Sequence, residues 1–213
     1  MIVNMHYIVA LGNPGEEYKN TRHNVGRIVL EEFFKKNDFS EWTLNKKLKA
    51  LSSEGKIGKE KVLLIEPETF MNKSGTAISY FVKPVPKATS AKASTSRRKG
   101  LENLIVVHDD IDLALGSMKI SYNKGTGGHR GLDSIIKAVK TKEFVRVRIG
   151  VSPTTLSGKI KKPMGEDKVI DFILGKFKPK ELDIFKKTSK KYSQAIQTII
   201  IEGRNKAMNL FNS

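Results

Sequence analysis

The stretch MHYIVALGNPGEEYKNTRHNVGRIVLEEFF, residues 5–34, changes its hydrophobic pattern twice and predicts how the fold begins. Residues 5–11 are rich in β-branched and aromatic side chains, which favours a buried strand. The Gly12-Asn13-Pro14-Gly15 sequence has the chemistry of a sharp turn. Apolar residues then recur at helical spacing, so we expect a helix with His23 or Asn24 at its N-cap. A histidine is therefore predicted at a helix entrance.

Strands and helices alternate along the rest of the chain. This alternation predicts a single α/β domain over residues 1–213, with a central, twisted, mixed and mostly parallel sheet and helices on both faces. The further predicted strands are residues 48–57, 61–65, 104–107, 116–122 and 144–151, and the further predicted helices are one opened by Ser74 and residues 132–139, 168–174 and 179–201.

Two segments interrupt this alternation because they contain few apolar residues. Residues 84–100, PVPKATSAKASTSRRKG, hold five basic and no acidic residues, which predicts a flexible basic insertion. This composition fits an RNA-binding arm and also fits a surface insertion without a role. Residues 152–165 carry Pro, Gly, Ser and Lys without periodicity, so we expect a mobile connection that can act as a lid.

The chain is strongly basic, with 39 Lys and Arg residues against 22 Asp and Glu residues and a net charge of +17. A polyanionic partner such as nucleic acid explains an excess of this kind. Organisms whose proteins are generally rich in lysine also make basic proteins that have no such partner. The motifs must therefore decide between the two explanations.

The composition also excludes several classes of protein. The chain has no cysteine, which excludes disulfides, thiolate zinc sites, iron–sulfur clusters and a cysteine nucleophile. Its longest apolar run, residues 7–11, is far shorter than the ~20 residues of a membrane span, and no charged-then-apolar leader precedes it. We therefore expect a cytoplasmic protein.

Polar residues cluster where the predicted strands end, which is where ligands bind in α/β sheets. No G-x-S-x-G motif occurs, so a serine nucleophile has no local support. The residue types instead fit activation of water by a histidine base, with a carboxylate that orients it and asparagine amides that hold substrate or stabilise an oxyanion. The candidates are Asn13, His23, Asn72, His108, Asp109, His129 and Arg130.

Three other interpretations of these motifs have less support. The turn at residues 12–15 follows a strand as a dinucleotide-binding turn does, but it is not G-x-G-x-x-G, and Pro14 removes a backbone N–H. Residues 108–112 contain one histidine and three aspartates that could ligate a metal, yet they lack a diagnostic spacing such as H-E-x-x-H. The glycine-rich loop at residues 123–131 is not a P-loop, although its Lys124 can contact phosphate.

Five motifs occur together in the order found in one family. Residues 9–18 (VALGNPGEEY) with 21–26 (TRHNVG) resemble the signature of bacterial-type peptidyl-tRNA hydrolases. The blocks TFMNKSG (69–75), VHDDIDL (107–113), GGHRGL (127–132) and VRIG (147–150) are similar to later blocks of that family. Each block is weak alone, but five in the right order are specific. The resemblance extends from about Tyr7 to the end of the chain.

The resemblance implies an enzyme of translation quality control. It would hydrolyse the ester between a peptide and the 3′-terminal ribose of tRNA without a metal or cofactor. By resemblance, His23 is the base that activates water and Asp109 is its orienting carboxylate. Asn13 and Asn72 would position the peptide and polarise the scissile carbonyl, and Tyr18 would line the pocket for the 3′ end.

The resemblance also gives the basic charge a partner, namely the acceptor stem and 3′ end of peptidyl-tRNA bound by a monomer. Such binding is salt-sensitive and depends on RNA shape rather than on sequence. The residues expected to contact the substrate are Tyr18, Phe70, Asn72, His129, Arg130, Lys119, Lys124 and Arg148, together with lysines of residues 159–162.

Arg130 departs from the family pattern, which has asparagine at this place in Gly-Gly-His-Asn-Gly. An arginine side chain donates hydrogen bonds and cannot accept them, so Arg130 cannot take a proton from the attacking water. It can hold a phosphate or donate to an oxyanion. We expect activity to survive because the four predicted catalytic residues remain. A catalytically inactive RNA-binding protein on the same fold and a metal-dependent esterase that uses residues 108–112 stay open as alternatives.

Overall fold

The computed structural model describes residues 5–80 and 101–212, which form a seven-stranded mixed sheet with the order β2-β3-β4-β1-β5-β7-β6. The parallel centre consists of β1 (Met5–Ala10), β4 (Glu60–Pro67), β5 (Leu104–Ala114) and β7 (Val145–Ser152). The antiparallel edges consist of β2 (Thr43–Asn45), β3 (Ala50–Ile57) and β6 (Met118–Tyr122). The carboxyl ends of the four central strands therefore meet at one edge of the sheet.

Helices cover both faces of this sheet because successive residues of its strands point to opposite sides. In β1, Ile8 belongs to one buried apolar cluster and Val9 belongs to the other. The Ile8 side is covered by α1 (Val25–Lys35), α5 (Pro179–Glu202) and α6 (Arg204–Phe211), and the Val9 side is covered by α2 (Gly75–Ser79) and α3 (Arg130–Val139). In the described ranges, no helix combines the length and apolar character that crossing a bilayer requires.

The remaining helix, α4 (Glu166–Leu174), lies apart from the two layers. It packs beside a short 3₁₀ turn, Arg22–Asn24, where the Arg22 guanidinium lies 4.6 Å from the centre of the Phe172 ring. The same 3₁₀ turn leads directly into α1 and carries His23. As a result, α4 stands next to the carboxyl edge of the sheet.

The predicted fold class is confirmed, with differences at particular elements. β5 continues to Ala114, although the polar residues after Val107 predicted a loop there. Pairing with β7 extends the strand: Asp109 lies opposite Ile149, and Asp110 lies opposite Gly150. The short strand β2 and the helix α6 were not predicted. The predicted insertion at 84–100 lies outside the described residues.

The segment 152–165, predicted as a mobile connection, contains local hydrogen bonding. Thr154 and Ile160 form an isolated antiparallel bridge, and the Lys161 N–H donates to the carbonyl of Pro153 at 2.8 Å. The segment is therefore a small hairpin whose Leu156 side chain is fully exposed. Its action as a lid stays a prediction.

Gly26 sets how closely α1 approaches the sheet. A Cβ at this position would lie 2.6 Å from the carbonyl oxygen of Val107 and 2.7 Å from that of Leu11. Real Cβ atoms do not come so close to backbone, so only glycine lets the first turn of α1 rest on the ends of β1 and β5. This contact places His23 beside the end of β5.

Candidate active site

A cleft of about 610 Å³ opens at the carboxyl edge of the sheet. Its walls come from the loops that follow β1 and β4, the polar end of β5, the glycine-rich loop before α3, and α4. The α4 wall is apolar and consists of Val169, Ile170, Ile173 and Leu174. Eleven of the predicted site residues line this cleft: Asn13, Tyr18, His23, Phe70, Asn72, His108, Asp109, Lys124, His129, Arg130 and Arg148. The structure thus brings them together, and their roles stay predictions.

Lys119 is one of the predicted residues that do not line the cleft; Lys159 and Lys161 are the others. Lys119 is exposed on β6, directly opposite Arg148 of β7 in the strand register. Among the lysines of residues 159–162, Lys162 lines the cleft. A role for Lys119 in RNA binding would therefore lie outside the cleft, on the adjoining surface.

Asp109 links two imidazole rings. Its Oδ1 lies 2.9 Å from His23 Nδ1 and 2.9 Å from His129 Nε2. His129 Nδ1 is the N-cap acceptor of α3 and receives the backbone N–H groups of Gly131 (3.1 Å) and Leu132 (3.4 Å). A nitrogen that accepts in this way holds no proton, so His129 carries its proton on Nε2 and donates it to Asp109.

The same reasoning orients His23. Because Asp109 Oδ1 accepts a hydrogen bond from His23 Nδ1, the lone pair of the neutral His23 ring is on Nε2. This atom makes no hydrogen bond with any residue of the two described ranges, and His23 forms part of the cleft wall. His23 therefore offers a proton acceptor to the cleft.

The charge of Asp109 is maintained although the side chain is 4% exposed. Burial by itself raises the pKa of Asp109, but attraction to His23 and His129 and the hydrogen bonds from both rings outweigh burial and hold the pKa well below its usual range. The carboxylate is thus ionised and able to orient both rings at neutral pH.

His108 is buried next to this pair and has a different environment. Burial, together with repulsion from His129, lowers the pKa of His108 to about 3, so the ring is neutral at pH 7. Its Nδ1 donates to the backbone carbonyl of Asp109 at 2.7 Å. His108 therefore supports the backbone at Asp109, and the sequence had not assigned it this contact.

His23, Asp109 and His129 offer three ligand atoms within 4.8 Å of one another, as metal sites do. A metal on His129 Nε2 would move the ring proton to Nδ1, where it would face the two N–H groups at the start of α3. The hydrogen-bonding pattern therefore fits an Asp–His pair better than a metal centre. In the alternative metal cluster of residues 108–112, Asp110 and Asp112 instead bind Arg148 and Lys162.

Asn13 is fixed on both its backbone and its side chain. Asn24 accepts from the Asn13 N–H and donates to the Asn13 carbonyl, each at 2.8 Å. Asn13 Oδ1 accepts from the backbone N–H of Met71 at 2.8 Å. The Nδ2 amide of Asn13 is left to donate into the cleft. Asn24 is a site residue that the sequence reasoning missed, and its place directly after His23 in the TRHNVG motif was the available signal.

The loop after β4 presents amide and aromatic groups to the cleft mouth. Asn72 is exposed and makes no hydrogen bond with another described residue. Phe70 is 54% exposed, and its ring makes an edge contact with Tyr18 at a centroid distance of 6.3 Å. The cleft mouth therefore has the Asn72 amide, unbonded among the described residues, beside a pair of aromatic rings, Tyr18 and Phe70, which we call the aromatic corner.

Three of the predicted cations are already paired with carboxylates. Arg130 binds Glu166 at 2.9 Å, Arg148 binds Asp110 at 2.6 Å, and Lys162 binds Asp112. Glu166 and Lys162 flank the start of α4, so two of these pairs join that region to the rest of the cleft rim. A phosphate that binds these cations must compete with a carboxylate.

The cleft contains an ionised carboxylate that orients an imidazole, with an amide donor beside it. This arrangement is typical of enzymes that hydrolyse carbonyl compounds with water. The fold and the cleft define the class of protein: a hydrolytic enzyme built on a single α/β domain with a mixed sheet.

Comparisons with known proteins give the particular family. The family model for peptidyl-tRNA hydrolase matches residues 7–213. The chain is 38% identical to a peptidyl-tRNA hydrolase of Alkaliphilus oremlandii, with 98% of this chain and all of the relative covered, and 38% identical to one of Carboxydothermus hydrogenoformans, with 98% of each covered. A crystal structure of peptidyl-tRNA hydrolase from Acinetobacter baumannii superposes with a TM-score of 0.79 at 27% identity, covering 100% of this chain and 97% of that one. The chain belongs to the peptidyl-tRNA hydrolase family.

Proposed function

We propose that this chain hydrolyses the ester that joins the C-terminal carbonyl of a peptide to the 3′-terminal ribose of tRNA, and so releases tRNA and peptide in translation quality control. Family membership supports the reaction class and the substrate. The observation that carries the mechanism is the 2.9 Å contact between His23 Nδ1 and Asp109 Oδ1, which leaves His23 Nε2 to face the cleft.

The reaction needs one proton acceptor that later becomes a donor. His23 Nε2 takes a proton from a water molecule as the water oxygen forms a bond to the ester carbon. Asp109 stabilises the resulting imidazolium. The tetrahedral intermediate then breaks its bond to the ribose 3′-oxygen, and His23 returns the proton to that oxygen. The products are a peptide carboxylic acid and a free 3′-hydroxyl, so atoms and protons balance.

The asparagines stabilise the charge that forms on the carbonyl oxygen. Asn13 Nδ2 is free to donate because Asn13 Oδ1 is occupied by the Met71 N–H. A fixed donor that faces a developing oxyanion costs no reorganisation during the reaction. The exposed amide of Asn72 binds the peptide backbone, and Tyr18 and Phe70 form the aromatic corner for the 3′ end of the RNA.

The basic residues bind the acceptor stem. Lys124 and Arg148 line the cleft, and Lys119 extends the same surface along β6. Lys162 and its neighbours at residues 159–162 lie at the other rim, on a hairpin that we propose as a lid. Contacts of this kind predict affinity that falls steeply with salt. We further propose a monomeric cytoplasmic protein that works without a metal or cofactor.

Release of free tRNA from an N-blocked aminoacyl-tRNA by the purified chain, with chelator present, tests the proposal. His23→Ala should abolish turnover. His6→Ala is a matched control because His6 is also a buried histidine, with Nε2 3.7 Å from Glu60 near the opposite edge of the sheet. Tight tRNA binding without turnover would instead establish an RNA-binding protein on this fold, and loss of activity with chelator would establish a metal-dependent esterase.

A further inference from the structure

A charged cluster outside the cleft connects three segments of the site. Its centre is Arg27 in the first turns of α1, four residues after His23 and three after Asn24. The Arg27 side chain is 16% exposed, and Arg27 is not among the residues that line the cleft.

The stem of Arg27 lies directly on the residue before Asn13. A Cβ on Gly12 would be 2.9 Å from Arg27 Cδ and 3.0 Å from Cγ, so the arginine side chain packs directly on this backbone. Arg27 therefore packs against the backbone of the Asn13 loop at Gly12, and Asn24 hydrogen-bonds the backbone N–H and carbonyl of Asn13 itself.

The head of Arg27 binds the segment that leads to Asn72. Nη2 donates to the carbonyl of Pro67 and, at 3.0 Å, to Glu68 Oε1, and Nη1 lies 3.8 Å from Glu66 Oε2. These residues end β4 and begin the loop that carries Phe70, Met71 and Asn72. A single guanidinium thus spans α1, the loop after β1 and the loop after β4.

We propose that Arg27 is a positioning residue for the hydrolytic reaction, which holds the Asn13 loop and the Asn72 loop at a fixed distance through its packing on Gly12 and its bonds to Pro67 and Glu68. The proposal rests on the proposed function above. Arg27 acts through Asn13 and Asn72 and does not itself touch substrate.

Glu66 completes the set of carboxyl groups around Arg27. It faces Arg27 and Glu31 from α1 and Glu68 from its own chain segment, and its neighbour in β3 is the uncharged Leu51. Burial raises the pKa of Glu66 to about 7; Arg27 opposes this shift, and Glu31 and Glu68 add to it. Glu66 lies nearest Nη1 whereas Nη2 binds Pro67 and Glu68, so the guanidinium holds these contacts together.

Steady-state hydrolysis of N-blocked aminoacyl-tRNA by Arg27→Met and Arg27→Lys tests the positioning role. For Arg27→Met we expect kcat to fall about tenfold and KM to stay within about twofold, because the transition-state contacts are displaced and RNA contacts are not. Arg27→Lys should recover part of kcat, since an ammonium can bind Glu68. Arg204→Met is the control: Arg204 lies 3.8 Å over the Tyr122 ring, away from the cleft. An unchanged kcat, or a rise in KM alone, would overturn the proposal.

Glu68→Gln gives a second test that holds even if Arg27→Met fails to fold. It removes the charge that binds Nη2 at 3.0 Å, so we expect kcat to fall about threefold while KM stays within about twofold. Glu60→Gln at the other end of β4 should show no such change. An unchanged kcat in Glu68→Gln would contradict the positioning role. A wild type without turnover would mean that the proposed function fails, whereas an active wild type matched by all Arg27 variants would reject the positioning role alone.

Discussion

Asn13 Oδ1 accepts a 2.8 Å hydrogen bond from the backbone N–H of Met71, so the amide of one loop is anchored by the next loop. The contact decides which end of the Asn13 amide faces the cleft. With its oxygen occupied, Asn13 can only donate to the substrate. A hydrogen-bond donor that points at the scissile carbonyl stabilises negative charge on that oxygen, which is the charge that ester hydrolysis creates.

Asn13→Asp therefore tests the donor role. A carboxylate can still accept from Met71 but has no proton to donate, so we expect kcat to fall about 100-fold or more with the fold intact. Asn45→Asp is the matched control, because Asn45 Oδ1 only accepts, from the backbone N–H groups of Lys47 and Leu48. Steady-state kinetics and thermal melts of both variants would check this. Full activity in Asn13→Asp would show that the donor is not used.

His129→Asn separates the two contacts of His129. An asparagine can still cap α3 by accepting from Gly131 and Leu132, but it loses the bond to Asp109. We expect stability to change by less than about 1 kcal/mol and kcat to fall about tenfold, because Asp109 is then fixed by His23 alone. Thermal unfolding and turnover measured on one preparation would decide. Normal turnover would mean that the bond to Asp109 is not needed for catalysis and that His129 only caps the helix.

Arg130→Asn restores the residue type of the family motif. The Arg130–Glu166 pair has both side chains well exposed, at 61% and 78%, and such pairs contribute little to stability. We expect the melting temperature to stay the same and kcat/KM to change by no more than about fivefold. Glu166→Gln serves as the companion variant that releases Arg130 without removing it. Complete loss of turnover in Arg130→Asn would give Arg130 an essential role.

The buried carboxyl of Glu66 predicts how stability varies with pH. Its pKa is raised from 4.5 in the unfolded chain to about 7 in the fold, so the folded state keeps a proton that the unfolded state loses. Stability therefore decreases as pH rises from about 4.5 to 7 and levels off above that. Glu66→Gln removes this dependence and should stabilise the protein at pH 8 by at most about 3 kcal/mol, with no gain near pH 4. Denaturant titrations at both pH values would test it, and an equal effect at the two would refute it.

The sequence predicts best what depends on neighbouring residues. The change from strand to helical periodicity between residues 5 and 34 predicts β1 and α1, and Asn24 is the observed N-cap of α1. The polar end of β5 was missed because strand pairing with β7, not apolar alternation, extends it. Periodicity carries no information about which partner strand is available.

Contacts between residues far apart in sequence are the part that the sequence does not predict. His23 and Asp109 are 86 positions apart and were connected only through the family resemblance. The Arg27–Glu68 bond, over 41 positions, and the Arg130–Glu166 pair, over 36, have no motif that would reveal them. Each depends on how α1 packs against the sheet or how α4 packs beside the Arg22–Asn24 turn, which is a tertiary property.

The close approach of α1 to the sheet at Gly26 has a consequence for protein engineering. Replacing helical glycines with alanine is a common route to thermostable variants, since alanine reduces the freedom of the unfolded chain. At this position the added carbon would meet the carbonyl oxygens of both Leu11 and Val107. The helix would have to move outward and carry His23 away from Asp109. A programme of stabilising substitutions should therefore leave residue 26 unchanged, because the distance between His23 and Asp109 depends on the absence of a side chain at Gly26.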